Sequence, residues 1–174
     1  IATIPVIFAG LIFSNIIQER IFSISSIAIS NLFFAVILLF AFLIRKSNKN
    51  LFQLTLYGSL FIGIVQCFAL IPGASRSGTA ITAALLIGMN LKDSSKFSFM
   101  LGIPTIFGAL VLLIFEIQTL DITYNLMNLF IGFFVSMIFA FFTIKLFLDF
   151  VEKIGMIPFV TYRIFLAALL FLLI

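Results

Sequence analysis

The residues best suited to chemistry form one short polar stretch between apolar runs, Pro72-Gly73-Ala74-Ser75-Arg76-Ser77-Gly78. Arg76 is the most unusual of these residues in an apolar setting, because an arginine deep in a bilayer costs about 2.5–3.5 kcal/mol on insertion scales. A Leu or Phe returns only about 0.3–0.6 kcal/mol on the same kind of scale. An intramembrane cation of this kind usually has a function, and it needs an anionic partner.

The neighbours of this arginine supply what an anion needs. Gly73 and Gly78 let the backbone approach a ligand closely, and hydroxyl donors are present at Ser75, Ser77 and Thr79. A helix is predicted to begin at the end of this stretch, so its free N–H groups and positive dipole end point into the stretch. Because a guanidinium can hold two phosphate oxygens at once, the pattern indicates phosphate or diphosphate binding.

The same spacing also fits a polar turn between two helices, with Ser and Gly as turn formers and the arginine snorkelling to the membrane surface. Residue spacing alone leaves both interpretations open.

Composition places this stretch in a membrane protein. The chain has 174 residues, 64% of them hydrophobic and only 9% charged, whereas a soluble domain has about 45–50% apolar and about 25% charged residues. The net charge of +4 comes from basic residues between apolar runs, which indicates orientation in the membrane and no nucleic-acid partner. The chain has no histidine, and its one cysteine, Cys67, is expected to be a packed small residue.

The apolar runs predict an all-α, polytopic fold with a single transmembrane domain over residues 1–174. A membrane-spanning helix needs about 20 residues, and the run at 79–89 reaches only about half of the bilayer. We therefore predict a re-entrant helix hairpin over about residues 51–89, folded around the polar stretch. The predicted apolar segments are residues 1–17, 25–44, 51–70, 79–89, 97–118, 125–150 and 157–174.

Charged and small residues agree with a hairpin. A hairpin places the basic residues that precede it and those that follow it on the same side of the membrane. Because basic loops are typical of the cytoplasmic side, that side is predicted to be cytoplasmic. The polar residues 18–20 and the acidic turn with Glu116 and Asp121 are then outside. Small residues at four-residue spacing let two helices approach closely in lipid. The basic residues are Arg45, Lys46 and Lys49 before the hairpin and Lys92 and Lys96 after it, and the small-residue stripes are Ser59, Gly63 and Cys67, then Ala80, Ala84 and Gly88.

The motif resembles the Pro-Gly-x-Ser-Arg-Ser-Gly signature of the undecaprenyl-diphosphatase family, also called bacitracin-resistance proteins. Other segments along the chain agree with that family. One position departs from it: Ala80 stands where the family usually has Thr, so Thr79 would have to take over that hydroxyl. The agreeing segments are Ala2-Thr3-Ile4-Pro5, Gly63-Ile64-Val65-Gln66, Phe97-Ser98-Phe99-Met100-Leu101-Gly102-Ile103-Pro104 and Tyr162-Arg163.

The resemblance implies a hydrolase in the bacterial plasma (inner) membrane. It would convert undecaprenyl diphosphate to undecaprenyl phosphate and so recycle the lipid carrier of peptidoglycan synthesis. Arg76 and Ser75 would be catalytic, with Ser75 either a nucleophile or a hydrogen-bonding hydroxyl. Substrate binding would fall to Gly73, Ser77, Gly78, Thr79 and Gln66.

The family fold has two inverted repeats, each with a re-entrant helix pair. This chain corresponds to the second repeat and part of the first, so we expect it to belong to a longer protein and to release no phosphate by itself. The general base and the carboxylates for a divalent metal, Mg or Ca, are expected in the rest of that protein, since this chain offers no metal site. A homodimer is a further expectation.

A different class of function, a transporter or flippase of a phosphorylated polyprenyl lipid, is the alternative. Inverted repeats with broken helices and a helix N-terminus aimed at an anion are also found in transporters.

Overall fold

Helices make up all the regular structure that is described. The computed structural model describes residues 1–13, 23–117 and 125–172. Two short 3-10 turns in these ranges, Leu51–Gln53 and Cys67–Leu70, lie before and after the third helix. The predicted all-α fold class is confirmed. In chain order the helices are α1 (Ile4–Ile12), α2 (Ile24–Ile44), α3 (Leu56–Gln66), α4 (Arg76–Leu86), α5 (Leu91–Ile117), α6 (Leu126–Ile154) and α7 (Ile157–Leu172).

Three of these helices are long and apolar enough to cross a membrane: α2, α5 over Leu91–Ile114, and α6. The apolar helices α3, with its following 3-10 turn, and α7 are shorter. Length and composition thus support the membrane class predicted from the sequence. The predicted outer segment at residues 18–20 and the predicted acidic turn at Asp121 lie outside the described residues, as does the side chain of Glu116.

The apolar segment predicted over residues 51–70 is not a single helix. The structure divides this run into a 3-10 turn, the helix α3 and a second 3-10 turn. Thr55 causes the first division, because its side chain accepts a hydrogen bond from the Gly58 N–H at 3.1 Å and so caps a new helix. Both α3 and α4 have 11 residues, which is about 16 Å at the usual rise per residue. The re-entrant position of this pair in the membrane stays a prediction.

The loop after α2 lies against the turn between α4 and α5. The N–H groups of Asn48 and Lys49 donate to the Gly88 carbonyl at 3.1 and 3.0 Å, and the Asn90 N–H donates to the Lys49 carbonyl at 2.8 Å. Gly88 has a φ of +90°, and a Cβ added to it would meet no atom within 4 Å. It therefore ends α4 and does not take part in close helix packing, contrary to the prediction from the small-residue stripe.

Asn90 also explains why α5 begins at Leu91, earlier than the predicted start at residue 97. Its side-chain oxygen accepts a hydrogen bond from the Asp93 N–H at 2.8 Å, and its amide donates to the Asp93 carboxylate at 2.9 Å. Such capping by asparagine favours a helix start even where the first turn is polar.

Helix α4 is the centre of the packing, and residues 78–85 are all buried. One apolar cluster joins Ile81 and Leu85 of α4 to Leu38 of α2 and to α7. A second cluster joins the alanines of α4 to Ile62 of α3 and Leu101 of α5. The motif lies at the N-terminus of this buried helix, which packs against α2, α3 and α5.

Gly63 on α3 allows α1 to come close. A Cβ at this position would overlap the backbone carbonyl of Ala2, just before α1. The small-residue stripe thus marks a real close approach at Gly63, but its partner is the start of α1. No sequence pattern indicated that partner.

Candidate functional site

The loop that enters α4 is pressed against α2. Gly73 has a φ of +94°, and a Cβ there would lie 2.5 Å from the Ile27 carbonyl oxygen. Only glycine combines this backbone conformation with such a close approach. The loop closes with a hydrogen bond from the Ala74 N–H to the Ile71 carbonyl at 3.1 Å. Gly73 therefore sets the path of the loop, and the structure gives it a defined local role.

Ser75 is the N-cap of α4. Its Oγ accepts a hydrogen bond from the Gly78 N–H at 3.2 Å and lies 3.5 Å from the Ser77 Oγ. Its φ of +63° is uncommon for a residue with a Cβ, and such strain is often found at functional sites. With the Oγ acting as acceptor for the cap, its O–H proton can be donated to a ligand.

Arg76 is the first residue of α4 and is half-buried. Its Nη1 donates to the Gly102 carbonyl of α5 at 3.1 Å. The guanidinium lies so close to α5 that a Cβ on Gly102 would be 3.1 Å from Nη2. Among the described residues no carboxylate forms an ion pair with Arg76. Its charge is therefore held in place by one carbonyl and is not neutralised there.

Ser77, Gly78 and Thr79 complete the first turn of α4. The N–H groups of Arg76 and Ser77 have no partner among the described residues, which leaves two backbone donors at the helix N-terminus. Both donors of Thr79 are engaged instead: its N–H with the Ser75 carbonyl at 3.0 Å, its hydroxyl with the Arg76 carbonyl at 2.9 Å. A phosphate contact from Thr79 would require these bonds to break.

Gln66 lies at the end of α3 and is almost completely buried, with 1% of its surface exposed. Its Nε2 donates to the Thr105 Oγ1 of α5 at 3.2 Å, while its Oε1 has no partner among the described residues. The structure thus places the Gln66 hydrogen bond on α5 and not on the motif loop.

Arg163 of α7 is a residue that the sequence analysis did not assign to the site. It is 3% exposed, and its Nη2 donates to the Gly73 carbonyl at 2.6 Å. Its Nε donates to the Asn31 Oδ1 of α2 at 2.7 Å, and the Asn31 amide donates back to the Arg163 carbonyl at 2.8 Å. The only sequence signal was the Tyr162-Arg163 pair, which gave no indication of contact with the motif loop.

The residues in and around the motif therefore combine a helix N-terminus, two arginines and the hydroxyl of a serine whose backbone is strained. Such an arrangement can bind a phosphate group through its oxygens. It offers no metal cage, because the described residues contain no group of three or more His, Cys, Asp or Glu side chains that could hold an ion. A general base for Ser75 is also not found among the side chains bonded to it in the described ranges.

Nearly the whole chain matches known proteins of one family. Residues 1–169 match the family model described as bacitracin resistance protein BacA. The chain is 42% identical to an undecaprenyl-diphosphatase of Saccharophagus degradans, over 100% of this chain and 65% of the relative. It is 41% identical to an undecaprenyl-diphosphatase of Campylobacter concisus, over 97% of this chain and 64% of the relative. The chain thus spans just under two thirds of the length of these relatives.

Proposed function

This chain belongs to the bacitracin resistance protein BacA family, and from that premise we propose that it is part of an undecaprenyl-diphosphate phosphatase. The reaction would cleave the bond between the bridging oxygen and the outer phosphorus with water, giving undecaprenyl phosphate and inorganic phosphate. The names of the relatives support this choice of substrate. None of them is named as a carrier, so the alternative of a lipid transporter has no support from the comparisons.

The observation that carries the proposal is that Arg76 has no counter-charge among the described residues. A half-buried guanidinium at a helix N-terminus, held by the Gly102 carbonyl and without a described carboxylate partner, lacks a counter-charge. Burying a charge without a partner is costly, so such a residue persists where an anion completes the site. A diphosphate group has the charge and the geometry to do so.

The residues of this chain would act mainly by binding and by electrostatics. Arg76 would hold two oxygens of the outer phosphate and stabilise charge that develops as the bond breaks. The free N–H groups of Arg76 and Ser77 would donate to the same group. Ser75 would present its hydroxyl there, as a hydrogen-bond donor or as a nucleophile. The second role needs an adjacent base, and none of the described side chains takes it.

Several finer features belong to the same proposal. The described residues do not fit a divalent metal by themselves, so Mg or Ca would depend on ligands from the rest of the protein. We also propose the bacterial plasma membrane as the location, recycling of the peptidoglycan lipid carrier as the role, and a homodimer as the assembly.

Phosphate release by Arg76→Ala in the complete protein tests the proposal. We expect kcat to fall by roughly 10²–10³, the loss typical of removing one strong donor to a developing oxyanion. Expression and membrane insertion should be retained, since the substitution removes a charge that is costly in lipid.

Arg45→Ala is the matched control. Arg45 also donates to a backbone carbonyl, that of Phe42, but it lies on the loop that contacts the opposite end of α4. Turnover of Arg45→Ala should stay close to wild type. Near-wild-type turnover of Arg76→Ala would remove Arg76 from the reaction and contradict the proposal.

A further inference from the structure

Arg163 is a buried charge without a counter-charge. Only 3% of its surface is exposed to solvent, yet both of its hydrogen-bond acceptors are neutral, the Asn31 amide oxygen and the Gly73 carbonyl. The third nitrogen, Nη1, is buried and has no acceptor among the described residues. Breaking or omitting the partner of a buried ion is strongly destabilising. A purely structural clamp between α2, α7 and the loop could be made without a full positive charge.

The described carboxylates do not provide the missing charge. Among the described side chains, Glu152 forms its ion pair with Lys92, at 2.6 Å. Asp93 is bonded to Asn90 near the start of α5. The charge of Arg163 therefore adds to that of Arg76, and both remain unneutralised in the described part of the chain.

The unpartnered nitrogen faces the N-terminus of α4. A Cβ on Gly78 would lie 3.2 Å from the Arg163 Nη1 and 3.2 Å from the Ser75 Oγ. Both atoms thus border the space that the absent side chain of Gly78 leaves in the first turn of α4. An anion bound at this helix N-terminus would have the Ser75 hydroxyl and the Arg163 charge on the same side of the turn.

We infer that Arg163 supplies a second positive charge to the anion site at the N-terminus of α4. This inference rests on the proposed function and extends it. The Arg76 guanidinium lies on the α5 side of the first turn of α4, and Arg163 lies on the side of α2 and α7. Two cations there suit a diphosphate, which carries more charge than a single phosphate ester. Asn31 holds Arg163 in place without neutralising it, which explains a neutral amide at a position where a carboxylate would bind the guanidinium more strongly.

A pair of substitutions at Asn31 tests the charge of Arg163 without removing it. Asn31→Ala and Asn31→Asp both lose the amide donor to the Arg163 carbonyl, but only Asn31→Asp places a negative charge beside the guanidinium. The probe is methylene diphosphonate, a non-hydrolysable diphosphate, used as a competitive inhibitor of the complete protein. We expect inhibition to be about tenfold or more weaker in Asn31→Asp than in Asn31→Ala, since the carboxylate neutralises the charge that would act on the diphosphonate, and losing a hydrogen bond to a charged group costs at least that much affinity.

A merely structural role of Arg163 predicts a difference in stability and none in inhibition. A carboxylate would then strengthen the bond to Arg163, raise the thermal midpoint above that of Asn31→Ala and leave inhibition by the diphosphonate unchanged. Equal or tighter inhibition in Asn31→Asp would overturn the inference. If wild type hydrolyses lipid diphosphate while the two Asn31 variants bind the probe equally, the proposed function stands and only the role of Arg163 fails.

A second pair covers the case in which the Asn31 variants do not fold. Arg163→Lys keeps the charge and loses the planar fork, whereas Arg163→Gln loses the charge. Affinity for methylene diphosphonate should be clearly higher in Arg163→Lys than in Arg163→Gln. Equal affinities of these two variants would show that the charge of Arg163 does not act on the anion.

Discussion

Gly102 offers a way to displace the Arg76 guanidinium without changing its charge. In Gly102→Ala the new Cβ would lie 3.1 Å from Nη2, 3.3 Å from Cζ and 3.4 Å from Nη1 of Arg76. Favourable contacts between non-bonded heavy atoms begin at about 3.5 Å. The guanidinium must therefore move away from α5 by a few tenths of an ångström, and its 3.1 Å hydrogen bond to the Gly102 carbonyl must adjust.

The expected effect is a fall in kcat of about 3- to 10-fold. A misplacement of about 1 Å in a catalytic geometry can cost about 10²-fold, and the shift here is a fraction of that. The KM for undecaprenyl diphosphate should change less than kcat, if the arginine acts mainly on charge that develops in the transition state. Phosphate release by the complete protein in detergent, measured over a range of substrate concentrations, separates the two constants.

Gly108→Ala is the matched control on the same helix. Its Cβ would meet the Ile7 Cγ1 at 3.9 Å, an ordinary contact. Both substitutions give α5 the same gain in helix propensity, about 0.5–1 kcal/mol, so that gain cancels in the comparison. If Gly102→Ala and Gly108→Ala have the same kcat as wild type, the position of the guanidinium does not govern turnover and the argument from the Arg76 geometry is wrong.

Two further predictions concern the helix packing and the loops. Gly63→Ala should lower the thermal midpoint of the protein in detergent, because overpacking against the backbone before α1 costs about 1–3 kcal/mol. Gly132→Ala, where the structure leaves open space, is its control, and equal midpoints would argue against the close approach at Gly63. In a Cys67→Ser background, single cysteines at the exposed positions Asn48 and Lys96 should react alike with an impermeant thiol reagent, because the loop of Asn48 is hydrogen-bonded to the turn that leads into α5. Labelling from opposite sides of the membrane would contradict this arrangement.

Local sequence was sufficient for the class of fold and for the motif. The excess of apolar residues specifies lipid as the solvent whatever the helix arrangement, because too few polar residues exist to cover a soluble domain. The cap at Ser75 depends on residues within three positions of it, so the start of α4 could be predicted closely. The interruption at Thr55 was equally local, but in a mainly apolar run the signal of this one residue was outweighed by the hydrophobicity of its neighbours.

The tertiary structure alone decided which groups surround the motif. Arg163 meets Asn31 across 132 positions and Gly73 across 90 positions of the sequence, and Arg76 meets the Gly102 carbonyl across 26. Apolar periodicity identifies a helix, but in lipid it does not specify which helices become neighbours, because lipid-facing and protein-facing positions are both apolar. Close approach at glycine and hydrogen bonds between distant polar side chains make that choice. The sequence alone therefore located an arginine at a helix N-terminus, and only the packed structure placed Arg163 against Gly73 and Gly78 of the same motif.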